Sequence, residues 1–169
     1  AQVPEQIEKL ENVTQLYISL DAPDRETLKK IDRPLFSDFY ERLLASLDAM
    51  AKKQFRKCVR LTLIKGLNDK HVEQYAELIK RANTDFIEVK GYSWVGASQK
   101  FHSVQDMPWF NETIEFSKKL ENALGDFEVI SNHEPSNVVC LIRKSLNKRR
   151  FIDFPKFFDL ANSGKQART

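Results

Sequence analysis

Cysteine is nearly absent from this chain. Only Cys58 and Cys140 occur among the 169 residues, and their separation matches no metal-binding spacing. So few thiols fit a reducing, intracellular setting, and the cytoplasm is the expected compartment. No apolar run approaches the length that spans a bilayer, and no secretory leader is visible. An excess of one charge is missing too: 27 Lys and Arg stand against 24 Asp and Glu, a net of +3. That balance is no argument for nucleic acid, so a basic surface has to be argued locally. There is no internal repeat and no low-complexity tract. The chain opens on Ala1 rather than Met, and a piece of a longer protein is expected. What is present is 41% apolar content, enough at this length for one domain with its own core. The length is too short for a complete eight-stranded βα barrel.

The stretch Asp85-Phe-Ile-Glu-Val-Lys-Gly91 is the most informative. Ile87 and Val89 fall on one face of a predicted strand, Glu88 and Lys90 on the other, and Gly91 ends it. Two ionisable groups on one face do not suit an apolar core, so that face is expected to line something wet or chemically active. The same alternation occurs twice upstream. In Gln15–Asp21, Leu16, Ile18 and Leu20 oppose Tyr17, Ser19 and Asp21. In Val59–Gly66, Leu61 and Leu63 oppose Arg60 and Thr62.

Helical patterns separate these strands. Residues 1–13 read as a helix anchored by Ile7 and Leu10. Asp24 can cap a short helix through Lys30, and Ser37 or Asp38 opens a longer one with Phe39, Leu43, Leu47 and Met50 in a stripe. A further helix covers about His71 to Arg81, with Val72, Ala76 and Ile79 inward. Another covers Pro108 to Leu124, anchored by Phe110, Ile114 and Leu120. Short links in a strand–helix–strand order imply parallel strands and right-handed crossovers. Polar groups confined to one face argue against a flat doubly wound sheet. The fold class is therefore α/β, a partial (β/α) barrel with a polar lumen and function at the strand carboxyl ends. Phe127–Ser131 and Val138–Ile142 predict a terminal β-hairpin. Phe151–Phe154 predicts one more strand, followed by a short helix. The domain is expected over residues 1–160, with a flexible tail at 161–169.

Each candidate group has a plain alternative. Lys65 and Lys90 at strand ends suggest Schiff-base chemistry in a desolvated lumen. For Lys90 the alternative is an ion pair with Glu88 or Asp21; Lys65 falls on the aliphatic parity and is expected to lean outward. Ser19 and Asp21 suit a ribose or amino-acid ligand, or capping of the next helix. His133, Glu134 and Asn137 invite a metal reading but fit surface polarity better; His71 and His102 carry less signal. The run Arg143–Arg150 suits phosphate or a solvated face, and Trp94 and Trp109 suit base stacking or packing.

In order along the chain, several stretches carry a resemblance. They are Thr14-Gln-Leu-Tyr-Ile-Ser-Leu-Asp-Ala22, Leu28-Lys-Lys-Ile-Asp-Arg-Pro-Leu-Phe36, Arg60-Leu-Thr-Leu-Ile-Lys65 and Asp85-Phe-Ile-Glu-Val-Lys-Gly91. Pro108-Trp109, His133-Glu-Pro-Ser-Asn137 and Phe151-Ile-Asp-Phe154 extend it. Together they resemble the tRNA 4-demethylwyosine synthases, the wybutosine-synthesizing family of radical S-adenosylmethionine enzymes. The resemblance implies the carboxyl-terminal half of a six-stranded radical S-adenosylmethionine barrel. The family's CxxxCxxC motif, which holds a 4Fe-4S cluster, is absent, as are its glycine–glutamate motif and the lysine proposed to capture pyruvate. All of these are expected upstream in the same protein. Some members carry an amino-terminal flavodoxin-like domain, which would bring FMN upstream as well.

What the resemblance implies is a full-length enzyme that cleaves S-adenosylmethionine reductively to a radical. The radical acts on N-methylguanosine beside the anticodon of phenylalanine tRNA, and pyruvate supplies two carbons of the new ring. By position, Ser19, Asp21, Ile64 and Asn68 would border S-adenosylmethionine, and Glu88 and Lys90 would face the substrate. Arg143, Lys144, Lys148, Arg149 and Arg150 would hold tRNA phosphates if they flank the barrel mouth together with His133–Asn137. The competing readings are a non-catalytic RNA-binding or scaffold half-barrel, and a Schiff-base lyase using Lys90.

Overall fold

A computed structural model describes residues 3–164 of the chain. Its strands are β1 (Gln15–Ser19), β2 (Arg56–Leu63), β3 (Phe86–Gly91), β4 (Phe127–His133) and β5 (Val138–Arg143). They form one sheet in the order β1-β2-β3-β5-β4. The first three run parallel, and the β4–β5 hairpin joins antiparallel through β5. The α-helices are α1 (Pro4–Lys9), α2 (Arg25–Asp32), α3 (Phe39–Ala51), α4 (Val72–Ala82), α5 (Phe110–Leu124) and α6 (Phe154–Asn162).

Local chemistry explains the helix ends. Asp24 accepts the backbone N–H of Thr27 at 2.9 Å and its hydroxyl at 2.8 Å, which caps α2. At α5, Glu112 reaches back to the backbone N–H of Trp109 at 2.7 Å. The predicted stripe of α3 is wholly buried. On α5, Leu120 is buried, while Phe110 and Ile114 are only partly covered. Thr113, Phe116, Ser117 and Leu124 carry the buried face instead, so the stripe sits slightly round the helix from the expected line.

Residues 151–154 are not a strand. The guanidinium of Arg56, itself only 5% exposed, donates to the carbonyls of Arg149 (3.4 Å), Arg150 (2.7 Å) and Phe151 (3.2 Å). Those carbonyls are thereby withdrawn from any ladder. Asp153 then accepts the backbone N–H of Lys156 at 3.1 Å and starts α6, with Pro155 in its first turn. The cap and proline outweigh the alternation. α6 runs through Asn162, and the tail beyond Gly164 lies outside the described residues.

The register separates two faces as the sequence pattern predicts. Ile18, Val59, Ile87 and Leu141 form one row of consecutive partners, packed with Leu47, Tyr75, Ile79 and Leu120. Each such burial contributes about 1.5–3 kcal/mol of transfer free energy. The opposite face has rows Tyr17–Cys58–Phe86–Ile142, Ser19–Arg60–Glu88–Cys140 and Thr62–Lys90–Val138. Ser19 and Glu88 therefore share a side, as the lumen reading requires. The face is not polar throughout, however. At the amino ends of the parallel strands, Cys58, Phe86 and Ile142 form a second apolar cluster with Ile130, Cys140 and Leu146.

Candidate functional site

Three layers of side chains line the lumen face, apolar at the amino ends of β1–β3 and polar above. In the middle layer Arg60 Nε lies 2.8 Å from Glu88 Oε1. The Arg60 guanidinium also stands over the Tyr17 ring, 5.3 Å from its centroid. Burial works to lower the pKa of Arg60, but the Glu88 carboxylate outweighs it and the net shift is upward. Glu88 is thus committed to Arg60 rather than to Lys90. Lys90 is half-buried in the layer above, beside Thr62, and its side chain has no ion pair or hydrogen bond among the described residues. Its ordinary alternative, an ion pair with Glu88 or Asp21, does not form.

Asp21 stands just past β1. Burial raises its carboxyl pKa, and hydrogen bonds from Thr62 partly offset this. Asp32, at the end of α2, is exposed at its outer edge but crowded by its neighbours. That desolvation, together with the Asp21 charge, pushes it up to about 6. Ser19 is exposed on the lumen face of β1.

Ile64 and Asn68 are both buried. The Asn68 amide donates to the carbonyls of Asp21 (2.7 Å) and Thr62 (2.8 Å), and its Oδ1 accepts from Ile64 N at 2.6 Å. Tyr75 adds hydrogen bonds to the carbonyls of Asn68 (3.2 Å) and Asp21 (3.4 Å). Both amide hydrogens of Asn68 are thereby used. It fixes the carboxyl ends of β1 and β2 relative to each other and so shapes any ligand border there. Lys65 leans to the helix side and pairs with Glu112 of α5 at 2.5 Å, as its parity predicts.

His133–Asn137 and the basic run lie at opposite ends of the sheet. Asn137 sits at the carboxyl end of β3, where its carbonyl accepts Gly91 N at 2.8 Å and its amide donates to Pro108 O at 2.7 Å. A Cβ on Gly91 would lie 2.1 Å from Asn137 Nδ2, so only glycine fits this latch. Because β5 runs back antiparallel, Arg143 ends beside Asp85, at the other end of β3. The six residues of β5 put about 20 Å between the two. The condition that both flank the mouth is not met. Arg143 is further engaged with Asp126 (2.5 Å) and Thr84 O (2.8 Å), and Lys144 with Gly125 O (2.7 Å). Lys148 lies 4.0 Å from Glu128. Lys148, Arg149 and Arg150 border a cleft of about 720 Å³ with Arg56 and Phe86, remote from the mouth.

No group of His, Cys, Asp and Glu able to hold a metal occurs among the described residues. Cys58 and Cys140 are free thiols on strands separated by β3, about 9–10 Å apart by strand spacing and beyond disulfide reach. Burial pushes both thiols up, Cys140 to about 11, so neither is a ready thiolate. Two such thiols do not fit an iron–sulfur cluster. Arg60 was not among the site candidates, although its parity, shared with Glu88 on the neighbouring strand, was the available signal. Asp32 gave no signal, since its shift depends on where α2 packs.

Residues 1–79 match the family described as Radical SAM superfamily, and residues 81–143 match Wyosine base formation. The S-adenosyl-L-methionine-dependent tRNA 4-demethylwyosine synthase TYW1 of Xenopus laevis is 43% identical over 165 residues. That alignment covers 95% of this chain and 22% of the relative. The corresponding synthase of Arabidopsis thaliana is 41% identical over 172 residues, covering 98% of this chain and 27% of the relative. The chain thus spans about a quarter of the length of these relatives. A solved structure of TYW1 with a lysine-pyruvate adduct bound superposes with a TM-score of 0.74 at 33% identity, covering 85% of this chain and 45% of that one. An Escherichia coli coproporphyrinogen III oxidase, at 17% identity and a TM-score of 0.52, shares the fold. Over most of its length the chain is thus homologous to the tRNA 4-demethylwyosine synthases, with the two family models side by side across residues 1–143.

Proposed function

We propose that this chain supplies the carboxyl-terminal strands of a catalytic barrel that converts N-methylguanosine beside the anticodon of phenylalanine tRNA to 4-demethylwyosine. Pyruvate would be the co-substrate. The observation that carries this reading is the polar lumen row Ser19–Arg60–Glu88, with unpaired Lys90 one layer above, in a chain 43% identical to a named synthase.

S-adenosylmethionine, when bound, would supply the radical. The donor set of this chain fits its polar parts: Ser19 offers a hydroxyl, and Asp21 a carboxylate near a sugar or amine. The Ile64–Asn68 turn offers a rigid border held by three hydrogen bonds to the Asn68 side chain. Arg60 keeps Glu88 oriented across the sheet, and Lys90 provides a cation for a carboxylate such as that of pyruvate. Closure of the lumen by the remainder of the full-length protein would keep water from these groups. The iron–sulfur cluster would have to be held by cysteines outside this chain, and FMN, where present, by a separate upstream domain. No helix among the described residues is long and apolar enough to cross a membrane.

The test is a reconstituted reaction of the full-length protein with S-adenosylmethionine, pyruvate, a reductant and tRNA bearing N-methylguanosine, followed by nucleoside mass spectrometry. The expected product is 4-demethylwyosine, and Lys90→Ala should lower its yield at limiting pyruvate. Cleavage of S-adenosylmethionine without any tricyclic base would overturn the reading.

A further inference from the structure

We propose that two loops above the strand carboxyl ends, residues 33–36 after α2 and residues 94–104 after β3, form a stacking platform for unpaired RNA bases. This rests on the tRNA-modifying reading above and gives it a recognition surface.

The first loop holds an apolar tip in solvent. Leu35 is 97% exposed and Phe36 40%. Arg33 adopts a left-handed backbone, φ 46°, immediately before Pro34, a conformation disfavoured for a residue with a side chain and for one preceding proline. The loop is nonetheless tethered. Arg25 donates to the carbonyl of Ser37 at 3.2 Å, and the Arg42 guanidinium stands 4.3 Å from the centroid of Phe36. A strained, tethered loop with an exposed leucine points to a recognition role.

The second loop is cross-tied in the same way. Tyr92 bonds Ser98 at 2.9 Å, Trp94 Nε1 donates to His102 O at 2.8 Å, and Lys65 N donates to Asp106 O at 2.9 Å. It still leaves Val95, Phe101 and Val104 more than half exposed. The Arg33 guanidinium lies over the Phe101 ring, so the two loops meet at the mouth.

Charge selects the occupant. Lys29, Arg33 and Lys100 have no carboxylate partner among the described residues. A groove of about 580 Å³ runs beside the first loop, lined by Lys29, Arg33, Leu35 and Phe36, with Arg25 and a single carboxylate, Glu26, also on its wall. Tethered apolar and aromatic faces alternating with cations that have no carboxylate partner suit base faces and the phosphates between them. Base chemistry inside the lumen also needs the nucleotide turned out of its stack. The mouth loops are placed to hold the neighbouring bases, and the run Arg143–Arg150 at the far end of the sheet is not.

The experiment measures binding of an anticodon stem-loop containing a fluorescent base analogue to the full-length protein, across a salt series. Phe101→Ala should weaken binding about five- to hundredfold, the range for one lost aromatic base stack, and Leu35→Ala, which removes only aliphatic contact, should weaken it by less, neither changing the salt slope. Lys100→Ala should flatten the slope instead. Arg149→Ala with Arg150→Ala should leave affinity nearly unchanged. Cleavage of S-adenosylmethionine without RNA should persist in Leu35→Ala, whose side chain is too exposed to matter for folding. A parent enzyme that binds the stem-loop, with Leu35→Ala and Phe101→Ala binding equally well, overturns this inference alone. A parent that does not bind it overturns the tRNA reading too. A dimer-to-monomer change in Leu35→Ala with RNA affinity intact would give the loop to a second copy and overturn the RNA assignment.

Discussion

Arg60 and Glu88 determine what Lys90 is free to do. Were Glu88 paired with Lys90, as the sequence allows, the lumen would carry an unpartnered guanidinium instead of an unpartnered ammonium. The ion pair is partly exposed, with side-chain exposures of 44% for Arg60 and 19% for Glu88, so it contributes only about 0–1 kcal/mol to stability. Glu88→Gln should therefore leave the melting temperature nearly unchanged and act on substrate use. Product yield should fall while cleavage of S-adenosylmethionine remains, and a large loss of stability with normal yield would contradict this. Asp32 behaves differently. Its folded pKa of about 6 lies above the ordinary carboxyl value, so the folded state holds the proton more tightly. Stability from this group is present below about pH 4 and lost as pH rises through about 6. Asp32→Asn should accordingly raise the thermal midpoint at pH 7.5 by the equivalent of less than about 1 kcal/mol, given its exposure, with no gain at pH 4. Melts of parent and variant at the two pH values check the sign.

At the scale of elements, the parallel strands and their two faces were legible because alternation with period two survives even in five- and six-residue strands. The hairpin was legible from two β-rich runs with a short link. The apolar lower lumen was not, since it needs the register that sets Cys58 beside Phe86 and Phe86 beside Ile142. The position of Arg143–Arg150 was equally hidden. Nearness in sequence to His133–Asn137 suggested nearness in space, but an intervening antiparallel strand carries the chain to the opposite end. Residues 151–154 were misread because a distant side chain, Arg56, decides their conformation. That role is testable. Arg56→Leu leaves three carbonyls without their donor, at a cost of about 1–3 kcal/mol for each one that water does not reach. Trypsin should then cut after Arg149 and Arg150 much faster than in the parent, while β2 and β3 stay protected from hydrogen exchange. Equal cleavage rates would remove the clamp from the account.

For the molecule as a whole, the consequence lies along β1. Among the described residues its outer edge pairs with no strand, and Tyr17 beside it is 47% exposed. A cleft of about 590 Å³ opens next to it, lined by Tyr17, Cys58, Phe86, Cys140, Phe151 and Phe154. Phe151 and Phe154 are 79% and 52% exposed. An uncovered strand edge flanked by aromatic groups is prone to pair with another chain. In the proposed full-length enzyme, preceding barrel strands would cover this edge and bring the cluster ligands that the buried Cys58 and half-buried Cys140, both protonated, cannot replace. Residues 1–169 produced alone should therefore self-associate with concentration and bind a hydrophobic dye. Supplied with iron and sulfide, they should give no cluster absorbance and no cleavage of S-adenosylmethionine. Stoichiometric cluster assembly on the isolated chain would show that its own residues suffice, and the division of labour between this half-barrel and the rest of the protein would have to be redrawn.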